Sequence, residues 1–185
     1  MRSNRASLFQ NRLFNRNRSN HSLTGTILAG AAGGLAGAFA MNQFQTAIAA
    51  IGRKVSGGRG QGSRSQDEAA TVKTARAISR KLFDHELTRS EKKWAGPAVH
   101  FALGGLLGAT YGALSKTAPV TKKGLGTAYG AAVWLGADEI AVPAFGLSRS
   151  PDQYPAGVHL QALASHAVFG LATDLTMRVL LRLNK

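Results

Sequence analysis

Two adjacent carboxylates, Asp138 and Glu139, interrupt a run of 25 residues between Lys123 and Arg149 that holds no other charged side chain. A charge near the middle of a membrane helix costs roughly 2.5 to 3.5 kcal/mol on insertion scales, so such groups usually face a bundle interior or water. Their chemistry is proton or cation handling. Histidines fall in matching places. His159 and His166 are seven residues apart and so share one helix face, with Gly170 and then Asp174 each one turn further on. His100 stands near the start of another uncharged run. Antiparallel helices joined by short loops would bring His100, the acidic pair and a later histidine into one layer. Three uses of that layer compete: a proton relay or cation path through Asp138, Glu139 and His166, a metal or haem held between helices by His, and interhelical hydrogen bonds that fix the packing. A blander placement leaves Asp138 and Glu139 at a helix end in the headgroup zone. His100, Asp138, Glu139, His159, His166 and Asp174 form the candidate intramembrane polar cluster. Packing is the expectation, and a small proton- or cation-conducting transporter is the alternative.

Pro143 adds to the polarity of this region. It has no N–H to give the carbonyl of Glu139, so the helix is expected to bend or end there. Other chemistry is absent from the pattern. The chain has no Cys, which removes disulfides, thiolate metal sites and cysteine nucleophiles. GxSxG, GxxxxGK[ST], HExxH and a usable GxGxxG are missing, so no catalytic, cofactor-binding or metal set is expected and the protein is not read as an enzyme.

The elements that would position the cluster follow from where charges fall. The 185 residues carry 23 Lys+Arg against 9 Asp+Glu, a formal +14, yet only 17% are charged. Uncharged runs of 34, 22 and 21 residues lie between Arg18 and Arg53, Lys93 and Lys116, and Asp152 and Asp174, beside the 25-residue run around the acidic pair. About 20 apolar residues span a bilayer core. The pattern predicts an all-α integral membrane bundle of about four transmembrane helices, over 23–51, 94–115, 124–145 and 157–180, plus one amphipathic interfacial helix over 66–88. A small soluble bundle would have too much surface to hide four apolar helices.

Residues 1–20 hold Arg2, Arg5, Arg12, Arg16 and Arg18 and no acid, reading as a basic flexible tail before a helical membrane domain over 21–185. Anionic lipid headgroups would attract such a tail. A transit peptide, or a signal-peptidase site at Ala38-Phe39-Ala40, are rival readings of the same end. Gly30 and Gly34, then Gly33 and Gly37, make a double GxxxG, and Gly104, Gly108 and Gly112 repeat at four, with Gly126 and Gly130 later. Small residues at this spacing let helix backbones approach in lipid. They serve packing within the chain or a homo-oligomer. A Gly-rich linker over 55–63 precedes the amphipathic stripe Val72, Ala75, Ile78 and Leu82, which either lies in the headgroup region or packs across the bundle's end. Ser65 with Glu68, and Thr88 with Glu91, make capping boxes. Trp94 suits an interfacial anchor, with Tyr111 near the far interface. The basic residues flanking the last two crossings put both termini in the cytoplasm. Nucleic-acid binding, which the +14 prompts, is not expected, since the basic residues cluster at segment ends and no recognised motif appears.

Gly104-Gly105-Leu106-Leu107-Gly108-Ala109-Thr110-Tyr111-Gly112, Tyr129-Gly130-Ala131-Ala132-Val133-Trp134, Asp138-Glu139 with Pro143, and Ser165-His166 resemble the YagU-like inner-membrane family, whose domain has no assigned function. The resemblance covers roughly residues 24–182. It implies a small, helical, multi-pass protein of the bacterial inner membrane and carries over no reaction.

Overall fold

The computed structural model describes residues 21–55 and 70–184, and over them every regular element is helical. Helix α1 spans Leu23–Val55, α2 Ala70–Phe83 and α3 Arg89–Thr117. Helix α4, Thr127–Trp134, continues into a π-helical segment, Leu135–Ala141, and a closing turn, Val142–Ala144. Helix α5 spans Ala156–Leu183. The tail, most of the Gly-rich linker and the Ser65–Glu68 capping box lie outside the described residues.

Three of the starts have a local cause. The Ser22 hydroxyl accepts the Gly25 N–H at 2.9 Å and opens α1. Thr88 and Glu91 exchange side-chain and backbone hydrogen bonds in both directions, which closes the orphan donors at the start of α3. Leu125, flanked by Gly124 and Gly126, has φ of 55°, and all three residues take positive φ, so α4 cannot begin before Thr127.

Helix α1 is the centre of the bundle, antiparallel to α3 on one side and to α5 on the other. A Cβ placed on Gly34 would lie 2.7 Å from the Cα of Gly108, and one on Gly30 would lie 2.9 Å from the Cα of Gly112. One turn on, Gly104 meets the Cβ of Ala38 at 2.7 Å on the same terms. Gly33 and Gly37 face α5 instead, where a Cβ would meet the carbonyls of Thr173 and Phe169. The two GxxxG stripes therefore face different neighbours. Gly126, just before α4, and Gly130 within it abut the backbone of Gly170 and His166 of α5. Tyr111, Tyr129, Phe169, Met41, Met177 and Ala29 form the buried core between the helices. Buried hydroxyls are satisfied on their own helices: Thr26 donates to Leu23, Ser165 to Gln161 and Thr173 to Phe169, at 2.7–2.8 Å.

The expected set of about four crossings is corrected by the structure. Among the described residues only α1 and α3 are long and apolar enough to cross a membrane, by length and composition. The segment expected over 124–145 loses its first residues to the positive-φ turn and its α-helical ladder beyond Trp134, leaving eight α-helical residues before the π segment. Helix α5 has the length, 28 residues, but Gln161, Ser165, His166, Thr173 and Asp174 dilute its apolar content. The orientation argument built on the last two crossings falls with them. The amphipathic helix expected over 66–88 stops at Phe83, where Asp84 takes a φ of 49°. It packs on α3, with Val72 against Gly96 and Ala75 buried, while Ile78 and Leu82 of its stripe stay exposed. Tyr111, expected near an interface, has no exposure at all.

Candidate functional site

The π-helical segment sets the site. In this segment the bond ladder shifts to i→i−5, as in the Val142 N–H donating to Ala137 O, and Pro143 can donate to neither Asp138 nor Glu139. The shift leaves Asp138 and Glu139 side by side on the wall of a cavity of about 600 Å³ between the helices. His100 from α3 and His159 and His166 from α5 line the same cavity. Five of the six residues of the expected polar cluster thus share one space.

His159 makes the tightest pair. Its Nδ1 lies 2.7 Å from Glu139 Oε1, and its Nε2 lies 3.0 Å from the carbonyl of Pro151. Both ring nitrogens therefore face acceptors, and an imidazole satisfies both with N–H groups only as the imidazolium. Hydrogen bonding to Glu139 holds the His159 pKa above its ordinary value, against the opposing pull of desolvation. The ring of Tyr154 stands edge-on to it at 6.4 Å.

His166 bonds to its own helix. Its Nδ1 donates to the carbonyl of Ala162 one turn back at 3.0 Å. Asp138 Oδ2 lies 3.8 Å from Nδ1, an ion-pair distance too long for a hydrogen bond. The His166 side chain is 9% exposed and that of Asp138 32%. His100 donates from Nε2 to Ala38 O of α1 at 3.3 Å and ties α3 to α1 at the cavity's edge. Lys73 of α2 and Arg149 of the loop after α4 also line the space.

Asp174 does not join them. It is fully buried further along α5, where Tyr111 donates to its Oδ1 at 2.6 Å and Arg178 to its Oδ2 at 2.5 Å. Tyr129 donates to Leu107 O at 2.7 Å, and its ring packs on that of Tyr111 at a tilt of 51° with centroids 5.0 Å apart. No group of three or more His, Asp or Glu among the described residues is arranged to hold a metal ion. Sequence reasoning missed Lys73, Arg149, Tyr154 and the Pro151 carbonyl, all set by loop and helix packing that no spacing rule encodes. The π segment had one legible signal, Pro143 four residues after Glu139.

Comparison with known proteins gives a family match. The family model described as protein of unknown function (DUF1440) matches residues 75–175, from within α2 to within α5, and contains the whole cavity-lining set of His and carboxylates. No curated protein and no solved structure is significantly similar to the chain. The chain belongs to the DUF1440 family, with which YagU-like proteins are associated.

Proposed function

We propose that this DUF1440 member is an integral protein of the bacterial inner membrane, held there by the α1–α3 hairpin, and that its interhelical cavity passes protons. The family resemblance supports the choice of the inner membrane. The bilayer placement is supported by the apolar length of α1 and α3 and by large apolar side chains on their outer faces, among them Leu28, Phe39 and Leu106, each more than half exposed. The observation that carries the proton reading is the pair of histidine–carboxylate contacts in one cavity: His159 Nδ1 at 2.7 Å from Glu139 Oε1, and His166 Nδ1 at 3.8 Å from Asp138 Oδ2. A relay needs imidazole and carboxylate groups close enough to exchange a proton within one polar space. Lys73 and Arg149, lining the same cavity, disfavour a metal cation, which would add positive charge to that space, whereas a proton shared between carboxylate and imidazole is already accommodated. No covalent reaction is assigned.

The test is proton flux into proteoliposomes driven by a potassium diffusion potential and read by an entrapped pH dye. Wild-type protein should exceed empty vesicles, and Glu139→Gln and His166→Phe should each cut that excess at least tenfold. Flux unchanged by both substitutions removes the proton reading. A packing role for the bundle is the second reading, favoured by the backbone contact of α1 with α3 across Gly34 and Gly108. It predicts no wild-type flux from a folded, membrane-inserted protein.

A further inference from the structure

A second cavity, of about 260 Å³, opens at the opposite end of the bundle, where α1 begins and α3 and α5 end. Its walls bring together Lys116, Lys122, Arg178 and Arg182 against the single carboxylate of Asp174, with His21 at the rim. Asp174 is already neutralised, since Tyr111 and Arg178 Nε occupy its two oxygens. Arg178 uses only Nε in that bond, so its two terminal amino groups remain to donate. Lys116 spends one N–H on the carbonyl of His21. Lys122 and Arg182, both exposed, have no ion-pair partner among the described residues. Lys116 and Arg182 sit in last turns, where they also answer the negative ends of α3 and α5. Lys122 lies on the short turn between α3 and α4, at neither α-helix end, and Arg178 is spaced from the α5 end by more than a turn.

Cations converging on a concave space around a carboxylate that is already paired make an anion site, and guanidinium with ammonium donors match a phosphate group's three or four oxygens. We infer that this pocket binds one phosphate group, supplied by the headgroup of an anionic phospholipid. The pocket lies at the end of the α1–α3 hairpin, where headgroups would lie around a helix pair of this length. The lipid source rests on the membrane reading above, and the phosphate chemistry does not.

The experiment uses full-length protein in a neutral detergent, with native mass spectrometry counting bound phosphatidylglycerol against phosphatidylcholine, and a parallel titration with inorganic phosphate. The double substitution Lys122→Gln/Arg182→Gln removes the two uncommitted cations. Lys81→Gln/Lys93→Gln removes equal charge from α2 and the start of α3. One phosphatidylglycerol should be retained by wild type and by the control, and its affinity should fall at least tenfold in the Lys122/Arg182 variant, with helicity by circular dichroism unchanged. Binding of inorganic phosphate without retention of phosphatidylglycerol, lost in the same variant, supports the phosphate pocket and overturns the lipid source. Equal losses in both double variants, or no binding of either ligand, overturn the site.

Discussion

Tyr111 on α3 donates its hydroxyl proton to Asp174 on α5 at 2.6 Å, and both side chains are buried. A carboxylate so placed is tolerable because every oxygen is used, with Arg178 taking the other at 2.5 Å. Tyr111→Phe deletes the donor and leaves Oδ1 buried and unpaired. We expect a loss of about 1–3 kcal/mol, measured by reversible unfolding in mixed micelles. In an Asp174→Leu background the same substitution should cost less than half as much, because no acceptor is left to orphan. Equal costs in the two backgrounds would show that the hydroxyl contributes independently of Asp174.

The contact of α1 with α3 makes a contrasting pair of glycine substitutions informative. A Cβ at Gly34 meets backbone, which cannot rotate away, so Gly34→Ala should force the helices apart and cost about 1–3 kcal/mol. Gly52, on the same helix with nothing within 4 Å of the place a methyl would take, has only backbone entropy to lose. Gly52→Ala should stabilise by about 0.4–1 kcal/mol. The two variants melt in opposite directions from wild type if the backbone contact holds the pair together.

His159 and Glu139 link the cavity to pH. The His159 pKa is raised above its ordinary 6.5, first by the hydrogen bond to Glu139. The folded state therefore binds that proton more tightly than the unfolded chain does. Its contribution to stability is fully present below pH 6.5 and is lost as pH rises through the elevated value. Thermal melts of wild type and Glu139→Gln between pH 5 and pH 9 should differ most at the acid end and converge at the alkaline end, and a gap that widens with pH would contradict the pairing.

Parts of this arrangement were legible in the residues alone. The 25-residue run broken only by Asp138 and Glu139, with His159 and His166 on one face, pointed to a shared polar layer because helical periodicity is a local property. What was not legible depended on how helices meet. Asp174 shares a face with His166 yet belongs to a separate buried pair, since Tyr111 reaches it from a helix 63 residues away. Four uncharged runs suggested four crossings, but run length says nothing of the turn at Gly124–Gly126, nor of the ladder shift after Trp134 that shortens the third. The double GxxxG gave no hint that its two stripes serve different partners, which only the three-helix packing around α1 decides.

Leu106 separates lipid from water as the medium around the hairpin. It lies inside α3, 64% exposed, on the face away from the Gly104–Gly108 contact with α1. At a surface bathed in water, Leu106→Lys would be neutral or would improve solubility, because it removes exposed apolar area. In a bilayer the same ammonium would sit near the middle of a spanning helix at a cost of roughly 2.5–3.5 kcal/mol, which competes with insertion itself. Phe83→Lys at the end of α2, at 73% exposure, alters a comparably open apolar site on a helix too short to cross. Expressed side by side and extracted with alkaline carbonate, the Phe83 variant should stay in the membrane pellet with wild type, while the Leu106 variant should fall several-fold in pelleted yield. Equal retention of both would place the outer face of α3 in water and remove the bilayer from the account of this fold.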